Sequence, residues 1–565
     1  MDKRLKRYVH FFAVSLRLLP KPKLPRLLRR LSVCCVLAVL LAGTPLIVSA
    51  AGPAARDAAV LPVAGPVTPA TSIHYLNLSV SLANRLHTSL LNRTSNAYYF
   101  SVSSNWATLA STQYSTLGNA LIVAGLMELF EATQNQTYLL WASTTSDQFW
   151  KGAWAKGTGG FYDTYNPNWS KSTCEQIAQD NAMFEIDFLD LYRLNGSSQW
   201  LQRADSEEAL LNQRFWNTTD GVVEVGYTPC TGQQSGDVDI ETSIGSYLWA
   251  TGEWTSISGN TSYLARMNAA ASFAHRYLWD GTSNSLQGGP DSTGCAGSAG
   301  SLGFMRSVYA NLTGLEDCPK GANENIWGAM GLAELYGLTG NSTLLDWTDQ
   351  DLSWINSTLW DPTYGGYHND VFRNDTLRSS CSSTNEPNDY PGWTQGEQPM
   401  FWWQIGQLTH NASMTAWSLV AERWTADHQW NSTDGNGGDM TCLNGNTSPD
   451  VGSPDLYDWI QGSALYSFST LGSPQTTYTS TTTSTIFTQS RASTAATSSV
   501  TLTSSSTVIT HVPEFSAAVF IPLAVLALVL MTVAGLAVRW RKVFKGGSGV
   551  SGEPVRGAPR AAGVP

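Results

Sequence analysis

The sequence predicts an all-α fold, a closed (α/α)6 toroid of six helical hairpins that spans residues 72–471. Three observations predict it: a degenerate repeat of paired helices, a tight link inside each pair, and a long loop after each pair. The repeat is clearest over residues 323–345, where one helix ends at Gly340 and a second begins near Ser342. Related copies begin near Gly118, Asp180, Glu241 and Gly396.

Helical spacing of apolar residues, such as Leu126, Leu129 and Phe130, gives each helix a face for the core. Glycine at the end of the first helix of a pair, followed by Asn or Ser, stops one helix and caps the next. The twelve resulting helices are predicted to start near residues 72, 116, 136, 180, 199, 241, 261, 323, 342, 397, 413 and 456. Those near 116, 180, 241, 323, 397 and 456 should form the inner wall. An open helical solenoid is the alternative.

The two ends of the chain differ from this middle part. Residues 1–51 join a basic start to an apolar run and small residues, as a signal peptide or an N-terminal anchor does. Residues 472–513 are rich in Ser and Thr and indicate a stalk. Residues 514–538 have the length and apolarity of a transmembrane helix, and the basic tail over 539–565 should stay in the cytoplasm. We therefore expect the toroid outside the cell, anchored at its surface.

Sequons and cysteines agree with this location. Fourteen Asn-x-Ser/Thr sequons lie between Asn77 and Asn446 and favour a glycoprotein. Six cysteines in or beside loops predict up to three disulfides in an oxidising compartment: Cys174, Cys230, Cys295, Cys318, Cys381 and Cys442. Their spacing does not fit a zinc site, and we expect neither metal nor cofactor. The net charge of −11 argues against nucleic acid as a partner.

The segment Gln179-Asp180-Asn181-Ala182, with the hairpin repeats and loops such as Gly159-Gly160-Phe161, resembles glycoside hydrolase family 76. Its members are α-1,6-mannanases and related enzymes built as (α/α)6 barrels. The resemblance therefore implies this fold and a glycan substrate. A second similar segment runs from Trp393 to Glu397. The family places two adjacent aspartates at the start of an inner helix, whereas this chain has Asp180 alone between Gln179 and Asn181.

Glycoside hydrolysis needs two carboxylates that flank one bond. Asp180 is predicted in the first turn of an inner helix, where free N–H groups should favour the ionised form that a base or nucleophile requires. Asp239 and Glu241 lie at the next inner-helix start among like charges, which raise the pKa as a general acid requires. The predicted catalytic residues are therefore Asp180, Asp239 and Glu241. Helix capping is the alternative role of each.

Polar and aromatic residues near the inner-helix starts are predicted to bind the substrate, because sugar sites combine aromatic faces with polar groups. They are Asn181, Tyr247, Glu324, Trp327, Glu397 and Trp402. Core packing is the alternative for the aromatic residues.

Three functions stay open. The first is a membrane-tethered glycoside hydrolase directed at α-mannan, and the second is a sugar epimerase or lyase on the same barrel. The third is a catalytically inactive surface protein that binds glycans. Epimerases use histidine for proton transfer, and no histidine falls at a predicted inner-helix start, which favours the hydrolase.

Overall fold

The computed structural model describes residues 69–280, 288–293, 302–378, 390–430, 442–443 and 455–473. The predicted signal peptide or anchor (1–51), the stalk from residue 474 onward, the transmembrane helix (514–538) and the tail (539–565) lie outside the described residues. Within the described ranges, no helix combines the length and the apolarity needed to cross a bilayer.

The described residues contain twelve α-helices, which alternate between an outer and an inner layer. They are α1 (Pro69–Arg85), α2 (Thr116–Thr133), α3 (Gln136–Gly152), α4 (Ala178–Asn195), α5 (Ser198–Leu210), α6 (Ser246–Ser258), α7 (Leu264–Phe273), α8 (Ala322–Thr339), α9 (Ser342–Trp354), α10 (Gly392–Leu408), α11 (Ala412–Trp424) and α12 (Asp458–Gly472). The even-numbered helices pack on one another in sequence, and α12 packs on α2, so the inner ring is closed. Apolar side chains between the two layers form the main core. The predicted toroid and its inner wall are confirmed.

Tight links join five of the inner helices to their outer partners. Gly196 ends α4 and Gly340 ends α8 in the left-handed conformation, with φ of 69° and 65°. The side chain of Asn341 then caps α9 by accepting the N–H of Thr343 over 3.1 Å. These links are the predicted glycine stop and polar cap. The sixth pair joins α12 to α1, so the last helix closes the ring on the first.

Five of the outer helices in the described residues end in a π-helical turn before the long loop begins. These turns are Leu86–Leu90, Leu211–Phe215, Ala274–Leu278, Ile355–Leu359 and Thr425–Gln429. Another π-helical turn, Ile240–Gly245, leads into α6. The residue that follows each of these five outer turns has an extended backbone. In four of the five it is a tryptophan, as at Trp216 and Trp360.

Short β-strands lie in the long loops, which the all-α prediction did not include. They are β1 (Leu91–Asn92), β2 (Ala97–Tyr98), β3 (Ser101–Ser103), β4 (Leu109–Ser111), β5 (Tyr114–Ser115), β6 (Thr164–Tyr165), β7 (Gln176–Ile177), β8 (Trp216–Asn217), β9 (Val222–Val223), β10 (Gly226–Thr228), β11 (Gln233–Gln234), β12 (Asp237–Asp239), β13 (Gly288–Thr293), β14 (Ser307–Tyr309), β15 (Leu315–Asp317), β16 (Lys320–Gly321), β17 (Asp370–Val371), β18 (Leu377–Arg378), β19 (Tyr390–Pro391), β20 (Cys442–Leu443) and β21 (Asp455–Tyr457).

Several of these strands tie neighbouring loops together at the end of the ring where the inner helices begin. Strand β7, before α4, pairs antiparallel with β10, before α6, and Ile177 lies opposite Gly226. Strand β21, before α12, pairs in the same way with β3, before α2. The all-α class is therefore right for the ring and incomplete for its loops. Pairing between loops depends on tertiary proximity, which helical periodicity does not reveal.

Helix α10 begins at Gly392 and not near residue 397 as predicted. Pro399 lies inside this helix and cannot donate to the carbonyl of Gln395. The hydroxyl of Thr425 donates to that carbonyl over 3.2 Å instead, so the missing N–H is replaced. The helix tolerates its proline for this reason, and Glu397 lies in its second turn.

Disulfide formation is confirmed where the structure describes the cysteines. Cys174 and Cys230 form a disulfide that links the loop before α4 to the loop before α6. Cys318 is disulfide-bonded as well. The side chains of Cys295, Cys381 and Cys442 lie outside the described part of the chain.

Candidate active site

The loop end of the ring, where the inner helices begin, gathers buried polar side chains. We call Glu241, Glu324 and Glu397 the glutamate cluster, and Asp180 and Asp458 the aspartate pair. Glu241 lies in the π-helical turn before α6, and the others lie in α8, α10, α4 and α12. Glu241 is partly exposed, whereas the other four are at least nine-tenths buried.

Two side-chain amides hold Glu241. Gln179 Nε2 donates to its Oε1 over 3.0 Å, and Asn323 Nδ2 donates to the same oxygen over 2.8 Å. These donors come from α4 and α8, the inner helices on either side of α6. Among the described residues, none forms a hydrogen bond with Oε2 of Glu241. One oxygen is therefore fixed while the other is available to a ligand.

Glu324 is paired with Arg306, which comes from the loop between α7 and α8. Arg306 Nε donates to Glu324 Oε1 over 2.5 Å, and its Nη2 contacts the same oxygen. The guanidinium also lies 3.3 Å from Asp317 and 3.6 Å from Asp370. The Oε2 atom of Glu324 is buried and has no hydrogen-bond partner within the described structure. Glu324 is thus the member of the cluster that contacts a cation.

Glu397 is bound by an indole and a hydroxyl. Trp327 Nε1 donates to its Oε2 over 2.6 Å, and Ser463 Oγ lies 3.4 Å from its Oε1. Trp327 itself is fully buried and packs edge-on against Trp249 and Phe401. Its ring therefore orients Glu397 and has no open face for the sugar stacking that was predicted.

Burial and like charges raise the pKa of Glu241 and of Glu397. Burial raises the pKa of Glu241 well above its usual range, and the charges of Glu324, Glu397 and Asp239 raise it further. Burial also raises the pKa of Glu397 to about 8, against the lowering effect of the Trp327 hydrogen bond. The acid-like environment predicted for Glu241 is present.

Asp239 caps the π-helical turn that carries Glu241. Its Oδ1 accepts the backbone N–H of Glu241 over 2.7 Å and that of Thr242 over 2.9 Å. Burial raises the pKa of Asp239 to about 6, although these two hydrogen bonds lower it. This geometry is that of a helix cap, the alternative role, and a catalytic role for Asp239 stays a prediction.

The aspartate pair lies on α4 and α12, the two inner helices that flank α2. The carboxylate of Asp458 packs on Gly118 of α2, where a Cβ atom would collide with it. Asp180 and Asp458 each have a buried Oδ2 without a hydrogen-bond partner among the described residues. The site therefore contains two carboxyls that the protein itself does not saturate.

The ionised state expected for Asp180 is wrong in this environment. Burial is the main cause that raises its pKa well above the usual range, and Asp163, Glu175 and Asp458 add to it. A helix N-terminus favours the charge by about 0.3–1 kcal/mol. Burying an ionised carboxylate costs several kcal/mol. Burial outweighs the helix N-terminus, so the fold favours the protonated form of Asp180.

Asn181 holds a loop in place. Its Oδ1 accepts the N–H of Phe161 over 2.7 Å, and its Nδ2 donates to the carbonyls of Phe161 and Ile177. The same clamp on the backbone of a loop aromatic recurs at three other inner helices, in the pairs Asn119–Tyr98, Asn325–Phe304 and Gln395–Tyr367. Asn181 and the loop Gly159-Gly160-Phe161 are therefore joined by these backbone hydrogen bonds. The buried amide of Asn181 is engaged there, and substrate binding by it stays a prediction.

Tyr247 and Trp402 belong to the packed wall of the ring. The Tyr247 hydroxyl donates to Oδ1 of Asn212 in the outer layer over 2.9 Å. Trp402 Nε1 donates to Gln398 Oε1 on its own helix over 3.0 Å. Tyr247 is 0% exposed and Trp402 3% exposed, so core packing explains both.

Sequence reasoning missed Gln179, Asn323 and Arg306 as site residues. Gln179 and Asn323 each directly precede a candidate acid, so their place in the first helical turn could have identified them. Arg306 lies inside a long loop, and no pattern in the sequence marks it. In the part of the chain that the structure describes, no group of three or more His, Cys, Asp or Glu side chains is arranged to hold a metal ion.

Solved structures of sugar-processing enzymes share this architecture. A D-mannose isomerase matches with a TM-score of 0.56 at 12% identity, over 71% of this chain and 97% of that one. A cellobiose 2-epimerase from Bacillus thermoamylovorans gives 0.54 at 11%, over 70% and 99%. A family 76 α-mannanase from Bacteroides thetaiotaomicron gives 0.53 at 11%, over 72% and 98%. No protein-family model matches the chain, and a comparison with curated proteins found no match.

The chain has the six-hairpin fold of these enzymes. The similarity to family 76 α-mannanases predicted from the sequence is therefore confirmed at the level of fold. Sugar epimerases share that fold equally. The fold alone therefore does not distinguish these activities.

Proposed function

We propose that the chain is an extracellular, membrane-anchored glycoside hydrolase that cleaves α-mannan, in the manner of an endo-α-1,6-mannanase, with paired carboxylates and no cofactor. The arrangement of Glu241 carries this proposal. Two amides hold this side chain at the loop end of the ring, and its raised pKa suits a general acid.

The position of the Glu241 proton follows from its hydrogen bonds. Oε1 accepts two N–H donors, from Gln179 and Asn323, so the proton of the neutral carboxyl resides on Oε2. Oε2 is the oxygen without a partner in the described structure, and the side chain is partly exposed. A glycosidic oxygen that contacts Oε2 would receive this proton as the bond to the sugar breaks.

Two observations support α-mannan as the substrate. The segment over residues 179–182 resembles the family 76 motif, and a family 76 α-mannanase shares the fold. Asp180 occupies the family-like position in this motif and remains the other predicted catalytic carboxyl.

Surface location rests on the sequence outside the described residues. The export segment (1–51), the apolar segment (514–538) and fourteen sequons support it, together with the disulfide of Cys174 and Cys230. Protease treatment of intact cells should release a glycosylated fragment. Protection of the toroid under these conditions would contradict the location.

A sugar epimerase or isomerase is the second candidate, because two such enzymes match with TM-scores of 0.56 and 0.54. Proton transfer by histidine would be the expected chemistry. Within the described residues, the first turns of the inner helices contain no histidine. The hydrolase is therefore the better-supported function.

Incubation of the full chain in detergent with α-mannan oligosaccharides tests the proposal. We expect release of shorter oligosaccharides, measured as new reducing ends. Glu241→Gln should lower turnover by about 10²–10⁴-fold, as expected for loss of a general acid. Asp180→Asn measures whether the family-like carboxyl is needed as well.

Controls separate the alternatives. Epimerisation of mannose or cellobiose without hydrolysis, followed by NMR, would establish the second candidate. Glycan binding without any turnover across a broad panel would instead make the chain an inactive surface protein.

A further inference from the structure

We propose that Glu324, held by Arg306, is the second catalytic carboxylate and works with Glu241 as the general base. This inference rests on the proposed function, because it assigns the partner of the acid in the same site. It replaces the adjacent-aspartate arrangement by two glutamates on neighbouring inner helices. It also gives Glu324 a role in the reaction that the sequence prediction limited to substrate binding.

The environment of Glu324 differs from those of the other members of the glutamate cluster and of the aspartate pair. Its Oε1 accepts from Arg306 through two nitrogen atoms of the guanidinium. A charge-assisted pair of this kind stabilises the carboxylate form, which a base requires. Its Oε2 is buried and has no partner in the described structure, so one oxygen remains available for a proton.

Glu241 and Glu324 are joined through a single residue. Asn323, which directly precedes Glu324 in α8, donates to Oε1 of Glu241 over 2.8 Å. The charge of Glu324 is also the largest among the charges that disfavour ionisation of Glu241. The carboxyl group that Arg306 holds therefore raises the pKa of Glu241, and this asymmetric pair suits Glu241 to the acid and Glu324 to the base.

The reaction balances with these two groups and one water molecule. Oε2 of Glu241 gives its proton to the glycosidic oxygen, and the bond between that oxygen and C1 of the sugar breaks. A water molecule attacks C1 from the other side, and Glu324 accepts the proton that this water loses. Proton exchange with solvent then restores the neutral Glu241 and the charged Glu324.

The aspartate pair is less suited to supply the base. Asp163, Glu175 and Asp458 raise the pKa of Asp180, and no cation contributes to it. A neutral carboxyl can donate a hydrogen bond to a sugar hydroxyl, but it cannot accept a proton from water.

Chemical rescue in the full chain tests this assignment. Glu324→Ala should lower turnover of mannan oligosaccharides by about 10²–10⁴-fold. Azide should restore turnover, because this anionic nucleophile needs no base. Glu241→Gln should not respond to azide, but it should cleave a dinitrophenyl glycoside well, since that leaving group needs no proton. Glu324→Gln, which keeps the shape of the side chain, serves if the alanine variant does not fold.

The pH profile gives a second readout. The acidic limb of kcat/KM should disappear in Glu324→Gln and shift in Arg306→Lys, which keeps a cation without its planar fork. Glu334→Gln is the matched control, because Glu334 is a buried acid three turns further along α8, and it should leave the profile unchanged.

Retention of the acidic limb and of kcat in Glu324→Gln would overturn the assignment while leaving the hydrolase intact. Azide rescue of Glu241→Gln instead of Glu324→Ala would overturn it too. An unmutated chain that hydrolyses no glycan would remove the proposed function, and the assignment with it.

Discussion

The aspartate pair and the glutamate cluster place buried carboxyls at the same end of the same ring, and they differ in what surrounds each acid. Around Asp180 the neighbouring charges are Asp163, Glu175 and Asp458, all negative. Around Glu324 the guanidinium of Arg306 is within hydrogen-bond distance. The first environment raises the pKa of both aspartates, whereas the second places a cation beside one carboxyl group of the cluster.

Hydrogen-bond donors strengthen this difference. Glu241 accepts from two amides, and Glu397 accepts from an indole and a hydroxyl. In the aspartate pair, Asp458 Oδ1 accepts the backbone N–H of Trp459 over 2.8 Å, and no side-chain donor contacts either aspartate in the described structure. Burial raises the pKa of both aspartates and of Glu241 and Glu397, so burial alone selects none of them for a role. A nearby cation and fixed donors distinguish an acid from a base.

Arg306→Met should lower the free energy of unfolding, and this is the largest change that the comparison predicts. Met leaves the carboxylates of Glu324 and Asp370 without the guanidinium, and loss of one partner from a buried ion pair costs about 3–5 kcal/mol. Because the Arg306 side chain is 28% exposed, we expect the lower end of this range at pH 7. Urea denaturation measures it. The loss should shrink at pH 5, since the pKa of Asp370 is about 7 in the fold and the stranded carboxylates can take up protons.

Arg378→Met is the matched control for this prediction. The side chain of Arg378 is also 28% exposed, and it pairs with Asp370 over 3.2 Å. Its removal should cost about 1 kcal/mol, because Arg306 remains beside Asp370. Equal losses for the two variants would mean that Glu324 does not depend on Arg306.

Asp180→Asn should change stability in the opposite direction. The folded pKa of Asp180 is raised above the unfolded value, so below pH ~3.9 both states are protonated and the carboxyl contributes nothing. As pH rises further, the unfolded chain ionises while the folded chain does not, and stability falls. Asparagine removes this loss. The variant should therefore be more stable than the unmutated chain at pH 7, by about 1.4 kcal/mol for each unit of pKa shift.

Denaturation at pH 3 and pH 7 measures this difference, which should vanish at the lower pH. A variant that is less stable than the unmutated chain at pH 7 would show that Asp180 is ionised in the fold. The aspartate pair would then resemble the glutamate cluster, and the contrast between the two would be lost.

The ring of helices could be predicted because local sequence patterns specify it. Apolar spacing gave the helices, and stops such as Gly340 gave the hairpins, so the inner wall followed from the order of short and long connections. The start of α10 was wrong because Pro399 normally ends a helix. The compensating donor, Thr425, lies about 26 positions further along the chain and is invisible to local patterns.

The site was predictable only in part. Asp180 and Glu241 do lie at the loop end of the ring, as helix starts implied. Their raised pKa values could not be deduced, because they depend on burial and on acids that only the folded loops and helices bring together. The contact of Arg306 with Glu324 likewise forms only in the folded loop. Asn181 was predicted to bind the substrate because it is a polar residue near the start of an inner helix. The structure uses it to clamp the backbone of Phe161.

Gly118→Ala tests the smallest of the expected differences. A methyl group at Gly118 would collide with the carboxylate of Asp458, and one at Gly321 would collide with that of Glu324. Overpacking costs about 1–3 kcal/mol, but alanine gains about 1 kcal/mol over glycine inside a helix such as α2. Asp458 has no ion pair that fixes its carboxylate in the described structure, so it can move. We therefore expect a net loss of about 1 kcal/mol.

Gly321→Ala should destabilise the fold more than Gly118→Ala, because Arg306 holds Glu324 in place. Gly321 also lies before α8 and not inside it, so alanine gains no helix propensity there. A double-mutant cycle of Gly118→Ala with Asp458→Ala isolates the collision. In the Asp458→Ala background, Gly118→Ala should become neutral or stabilising, since the carboxylate is gone and the helical preference remains. If Gly118→Ala is equally destabilising in both backgrounds, Asp458 does not rest on α2. The packing of Asp458 on Gly118 would then not limit the helix at this position.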